Sequence, residues 1–210
     1  MGDPVGVPVT PPGIWAGDFG DAYTARNVVD PASRAPFWRR IADLTSAGII
    51  APDTVLEIGC NRGHNLIALR RELPSAQLHG CDVNAGVLSL VPWVTYRLAV
   101  DQHAAHDLPL WWSASFDLVF TAGVLIHVPP DQIDDVLRGM SRCSRRWLLA
   151  VEYEAETETM INYRGQDDLL WKRPYGALLA RYGEVVARGL ATKADGFDNC
   201  MWTLVAKEGA

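Results

Sequence analysis

Short apolar runs alternate along this chain with stretches in which apolar side chains recur every three or four positions. Phe37, Trp38, Ile41 and Leu44 fall near one stripe, so a helix is expected from Pro36 until Gly48 closes it and Pro52-Asp53 turns the chain. Thr54-Val-Leu-Glu-Ile-Gly59 then reads as a buried strand. Leu66, Ile67, Leu69 and Leu73 return to helical spacing up to Pro74. Gln77–Asp82 is a second strand, 85–91 a short helix, and Thr95–Val100 a weaker third strand. Phe116–Thr121 is the fourth strand, and Pro129-Pro130-Asp131 opens a helix with Ile133, Val136, Leu137 and Met140 on one face. Trp147–Tyr153 is the fifth strand. A polar, irregular stretch from Glu154 to Arg173 follows, then a helix over 175–182 and strands near 184–190 and at Met201–Ala206.

Strands that alternate with helices pair in parallel through right-handed crossovers. The last two strands lack an intervening helix and predict an antiparallel hairpin at one edge. The expected fold class is α/β: a single doubly wound, Rossmann-like domain with a mostly parallel sheet. Residues 54–206 form its core, 15–50 an N-terminal lid segment and helix, and the proline-rich 1–14 a flexible tail. Between Trp15 and Asn27 three aromatics are separated by glycines without any clean period, so no regular element is expected there.

Composition changes this picture little, but it removes function classes. The 210 residues carry a formal charge of −6, which disfavours nucleic acid and acidic membranes as partners. No apolar run approaches the ~20 residues of a membrane span, and the first residues lack the basic and apolar regions of a signal peptide, so a cytoplasmic protein is expected. Cys60, Cys81, Cys143 and Cys200 are scattered and read as buried free thiols. His103 and His106 stand close together without a partnering cysteine, so no metal site is expected. Monomer and homodimer both remain open.

The chemistry concentrates where the first strand turns into a helix, in Glu57-Ile-Gly-Cys-Asn-Arg-Gly63. Gly59 and Gly63 let backbone approach a ligand at a helix N-terminus, which a Cβ would obstruct. Asp82 ends the second strand, where a carboxylate can accept hydrogen bonds from ribose hydroxyls. The dinucleotide pattern G-x-G-x-x-G is absent, and acidic Glu57 beside the loop suits a cationic ligand better than a pyrophosphate. Those two features point to S-adenosylmethionine as cofactor.

At these residues the chain resembles class I S-adenosylmethionine-dependent methyltransferases, with Asn61 where their middle glycine stands. The motifs Trp15-x-Gly-x-Phe-Gly-x-x-Tyr-x-x-Arg-Asn27, Phe37-Trp38, Gly59-Cys-Asn-x-Gly-x-Asn-Leu66, Gly123-Val-Leu-Ile-His127 with Pro130-Asp131, Glu152-Tyr153 and Tyr163-Arg-Gly165 look like the methylase family associated with pseudaminic acid biosynthesis. The resemblance implies that Gly59, Cys60 and Gly63 flank the methionine moiety, that Asn61 and Asn65 also belong to the cofactor site, and that Glu57 orients the loop and the amino group. It places Val83 and Asn84 by the adenosine, Asp101 by the adenine, and Thr121, Gly123 and Val124 beneath the sulfonium. The leader would then be a lid, with Trp15, Phe19 and Tyr23 excluding water. Tyr23 could meet the sulfonium by a cation–π contact, and Arg26 the cofactor carboxylate or an anionic substrate.

For the acceptor, His127 follows the fourth strand at the sheet edge where ligands bind, as a general base, a substrate contact or a residue that pins its loop. Glu152 and Tyr153 point to opposite faces, so at most one faces the cleft. Tyr153 could line the methyl-transfer site and Glu152 fix a neighbouring loop. Tyr163 and Arg164 sit in the long insert, where Arg164 could clamp a carboxylate or phosphate and make the acceptor anionic. The expected activity is methyl transfer to a small polar metabolite. Two alternatives remain: transfer or cyclisation of the cofactor's aminocarboxypropyl arm, releasing methylthioadenosine, and a non-catalytic cofactor-binding module.

Overall fold

A computed structural model describes residues 11–208 and shows a seven-stranded sheet in the order β3-β2-β1-β4-β5-β9-β8. The parallel part comprises β1 (Thr54–Ile58), β2 (Gln77–Asp82), β3 (Leu98–Gln102), β4 (Phe116–Ala122) and β5 (Ser144–Glu152). Strand β9 (Cys200–Ala206) runs antiparallel between β5 and β8 (Glu184–Ala191), which forms the edge. The α/β, Rossmann-like expectation with an antiparallel hairpin therefore holds.

Continuous apolar strands result from cover on both faces. One face packs α3 (Ala35–Ser46) and α4 (His64–Glu72), with Phe37, Trp38 and Ile41 fully buried against Val55, Leu118 and Phe120. The other packs α7 (Ile133–Cys143), whose Ile133, Val136, Leu137 and Met140 meet Leu56, Val119 and Leu148. The strand bases are tied by Asp117, whose Oδ2 accepts from the N–H groups of Asp53 and Thr54 at 3.0 Å each.

Several boundaries differ from expectation. The helix after the paired prolines starts at Ile133, and the expected helix 85–91 is the single turn α5 (Ala85–Leu88). The third strand begins at Leu98 because α6 (Trp93–Tyr96) takes up the residues before it, ending in left-handed Arg97. The irregular 154–173 stretch contains a small ribbon of β6 (Thr159–Met160) and β7 (Trp171–Lys172), followed by α8 (Tyr175–Leu179). The four cysteines are free and buried, as expected. Among the described residues, no helix is long and apolar enough to cross a membrane.

The aromatic leader is helical after all, as α1 (Pro11–Ala16) and α2 (Asp18–Arg26); residues 1–10 of the expected tail lie outside the described residues. No hydrophobic period announced α2 because the residues it buries are Gly20 and Thr24, small side chains four apart. A Cβ on Gly20 would come within 1.9 Å of the Trp15 carbonyl oxygen. Gly→Ala in a helix ordinarily stabilises by about 1 kcal/mol. Gly20→Ala should instead lower stability by about 1–3 kcal/mol in chemical denaturation, the cost of overpacking.

Candidate functional site

The loop from β1 to α4 requires left-handed backbone at three positions: Gly59 (φ 71°), Asn61 (φ 46°) and Gly63 (φ 74°). A Cβ on Gly59 would lie 2.4 Å from Val124 Cγ2, so the loops after β1 and β4 close on each other here. Asn61 satisfies its unusual conformation locally, since its Oδ1 accepts from the Arg62 N–H at 2.8 Å. Its backbone N–H donates to Asp82 Oδ2 at 2.9 Å, and the Asn84 N–H donates to Asp82 Oδ1 at 3.0 Å. Burial pushes the Asp82 carboxyl above its ordinary value, with these bonds offsetting part of the shift.

The same two asparagines also fasten the leader. Asn61 Nδ2 donates to Thr24 Oγ1 at 3.0 Å, and Asn84 Nδ2 to Asp21 Oδ1 at 2.8 Å. Together the leader, the β1 and β2 loops and the β4 turn enclose a cavity of about 750 Å3. Of the positions proposed from the sequence, Trp15, Tyr23, Glu57, Gly59, Cys60, Asn61, Asn65, Asp82, Val83, Asn84, Gly123, Val124, His127, Tyr153 and Tyr163 line it.

Glu57 is buried on its strand. Its Oε1 accepts from Asn65 Nδ2 at 2.7 Å, while Oε2 has no partner. Burial raises its pKa to about 8, against the smaller opposing effects of Asn65 and Arg34. Arg34 lines the same cavity, stacked 3.7 Å over the Phe197 ring, and its buried Nε is also without a partner. Burial lowers the Arg34 pKa, with Glu57 the main counterweight.

His127 ends a 3-10 turn (Leu125–His127) after β4, with Nδ1 2.6 Å from the Leu169 carbonyl oxygen. A carbonyl only accepts, so Nδ1 carries the hydrogen. Burial drives the His127 pKa down to about 4 despite that bond. The ring is therefore neutral at physiological pH, and Nε2 holds a free lone pair. Trp15 lies 4.4 Å from the imidazole between ring centroids and Tyr163 5.4 Å, so the imidazole joins the leader to the insert.

Two buried polar side chains grip this turn. Glu152 Oε1 accepts from the N–H groups of Val124 (3.1 Å) and Leu125 (3.2 Å). Arg173 donates to the carbonyls of Leu125 (3.4 Å) and Val128 (2.9 Å) and pairs with Glu158. Burial raises the Glu152 pKa to about 7. Glu152 thus fixes a loop and does not line the cavity, while Tyr153 does, which divides the pair by strand alternation.

Other expected positions fall outside the cavity lining. Arg26 is exposed, with its guanidinium 5.7 Å from the Phe19 ring and 5.8 Å from Tyr23. Asp101 pairs with His79 at 2.7 Å on the sheet. Gly63 caps α4, Thr121 is buried within β4, and Arg164 is exposed beside the Tyr163 ring. The sequence reading missed Thr24, Arg34, His64, Lys172 and Lys193, all cavity-lining. Thr24 and His64 stand at unspecified positions of the quoted motifs, and Arg34, Lys172 and Lys193 lie outside them.

Residues 55–146 match the family described as "Methyltransferase domain". No curated protein matches the chain. Among solved structures, the Burkholderia thailandensis 1,6-didemethyltoxoflavin-N1-methyltransferase, with its namesake ligand and S-adenosylhomocysteine bound, is similar at TM-score 0.73 and 18% identity, covering 99% of this chain and 93% of that one. The magnesium protoporphyrin IX methyltransferase of Synechocystis PCC 6803, with S-adenosylhomocysteine, gives 0.63 and 13%, covering 84% of each chain. The N-methyltransferase NodS of Bradyrhizobium japonicum WM9, also with S-adenosylhomocysteine, gives 0.61 and 16%, covering 82% of this chain and 87% of that one. The chain has the α/β Rossmann-like methyltransferase fold.

Proposed function

We propose that the cavity binds S-adenosylmethionine and presents its methyl group to a protonated nucleophile on a small polar metabolite. The protein is a class I transferase on its fold and its matched domain together. The observation that carries the cofactor reading is the pair of orphaned buried atoms, Glu57 Oε2 and Arg34 Nε, beside a loop whose Gly59 admits no Cβ. A buried carboxyl and a half-buried arginine fit the ammonium and carboxylate of an amino acid, and Asp82 fits a ribose diol at the strand end. Arg34 takes the carboxylate role in place of exposed Arg26. Tyr23 and Trp15 cover the site as part of a lid, and the narrower likeness to pseudaminic acid-associated methylases belongs to the same reading.

When bound, S-adenosylmethionine supplies an electrophilic methyl on a sulfonium, which leaves with the C–S electron pair on sulfur. Neutral His127 accepts the nucleophile's proton at Nε2, while Nδ1 stays bonded to Leu169. Glu152 and Arg173 hold the turn so that the imidazole keeps its place. The aromatic cover from Trp15 to Tyr163 keeps water from competing for the methyl group.

Incubation with labelled S-adenosylmethionine and small molecules extracted from the source cells tests this reading. S-adenosylhomocysteine should accumulate with a labelled acceptor. Methylthioadenosine would transfer the assignment to the aminocarboxypropyl arm, and no turnover with any acceptor would leave a binding module.

Glu57 adds a pH test. Its folded pKa of about 8 lies above the ordinary 4.5, so its protonated form stabilises the fold fully below about pH 4.5. That contribution is lost as pH rises through about 8, and raised Glu152 acts in the same direction. Stability of the free protein should therefore fall between pH 5 and 8.5 in denaturant titrations, with Glu57→Gln flattening part of the slope. Cofactor binding near pH 7 should release a proton as Glu57 meets the ammonium, seen calorimetrically as a dependence on buffer ionisation enthalpy.

A further inference from the structure

The acceptor side of the cavity is built from the β4 turn, Tyr153, the 154–173 insert and the β8–β9 loop, and a lysine projects into it. Lys172 sits on β7 between buried Trp171 and buried Arg173, and strand alternation turns it toward the cavity that it lines. Its ammonium lies 5.9 Å from the Tyr153 ring centroid.

The nearby carboxylates are already engaged elsewhere. Glu154 holds Arg188 at 2.7 Å and the Gly176 N–H, Glu158 holds Arg173, and Asp198 lies 3.7 Å from Lys193 at the exposed rim. Among the described residues no carboxylate lies within ion-pair distance of Lys172. Glu57 accepts from Asn65, and Asp82 accepts from the backbone N–H groups of Asn61 and Asn84. A half-buried ammonium with three donors and only a ring beside it is a site for an anion.

We propose that the acceptor is a small organic acid whose anionic group, a carboxylate or phosphate, is held by Lys172 against Tyr153 while a separate hydroxyl or amine faces His127. This rests on the methyl-transfer reading above. The anion is not the methylated atom, because an ionised oxygen has no proton for His127 to remove. One O–C or N–C bond forms, the methyl–sulfur bond breaks with its pair going to sulfur, and the nucleophile's proton goes to Nε2. The acid group keeps its charge throughout.

Small molecules extracted from the source cells are separated on an anion-exchange resin at neutral pH, and each fraction is assayed with labelled S-adenosylmethionine. Acceptor activity should appear only in the retained fraction, and the labelled product should be retained again. Loss of the acceptor after phosphatase treatment assigns phosphate; survival assigns carboxylate. Activity in the flow-through, or a product that no longer binds the resin, overturns the proposal while leaving methyl transfer intact. No labelling in any fraction overturns the methyl-transfer reading itself, and the proposal with it.

Lys172→Met should raise the half-saturating acceptor concentration about 10- to 100-fold, the worth of a hydrogen bond to a charged group. The maximal rate should stay within a few-fold, S-adenosylhomocysteine affinity should not change, and Lys172→Arg should restore most of the loss. An unchanged half-saturating concentration in folded Lys172→Met would also overturn it.

Discussion

Asp82→Ala is expected to weaken S-adenosylhomocysteine binding by at least about 100-fold in calorimetric titration. A carboxylate that accepts two ribose hydroxyls contributes about 1.5–3 kcal/mol per bond, and both are lost together. The variant also frees the N–H groups of Asn61 and Asn84, which now hold the cofactor loop and the start of α5 in register. Fold stability should fall far less than affinity, because burial already disfavours the charged form of Asp82 and its removal relieves that cost. Asp82→Asn should lie between, since its amide keeps one accepting oxygen. Binding within threefold of the parent protein would refute the ribose assignment.

His127→Ala should lower kcat by about 10²–10⁴, the range for loss of a positioned general base, while cofactor affinity changes only a few-fold. The pH profile adds a signature. With the His127 pKa at about 4, the base form persists down to mildly acid pH, so kcat/KM of the parent protein should lose its His127-dependent limb only near pH 4 and not near 6.5. That limb should vanish in the variant. Full activity in His127→Ala would make the imidazole a packing element between Trp15 and Tyr163 and move the search for a base elsewhere. Opening the bond to Leu169 by changing the insert should also raise the His127 requirement for correct orientation, because Glu152 and Arg173 hold only the backbone of its turn.

Most of the sheet was legible because its signals are local. Thr54–Ile58, Phe116–Ala122 and Cys200–Ala206 are apolar runs bounded by turns, and α7 announces its buried face through Ile133, Val136, Leu137 and Met140. The glycine turn after β1 was equally legible, since left-handed Gly59 and Gly63 belong to a short strand–turn–helix segment. The helicity of the leader was not legible for a physical reason: α2 docks through Gly20 and Thr24, so its packing carries no apolar period, while its Tyr23 lines the cavity. Arg26 and Arg34 show the same limit. Both are arginines near the first strand, and only folding stacks one on leader aromatics at the surface and the other on Phe197 within the cavity.

The sequence by itself determined the succession of the seven sheet strands, the glycine-shaped turn after β1, the acidic residues Glu57 and Asp82 near strand ends, and His127 as a candidate base, substrate contact or loop pin. These depend on contacts within a few residues or on periodicity, which a linear string records directly. The tertiary structure alone decided that Glu57 is desolvated with an unpaired oxygen, that Arg34 lines the same cavity, and that Glu152 and Arg173 grip the two ends of the His127 turn. It also decided that Lys172, remote in sequence from Glu57 and Asp82, shares their cavity. Desolvation and charge pairing depend on what lies across space, and strands β1, β5 and β7 become neighbours of one site only when the sheet and its insert have closed around it.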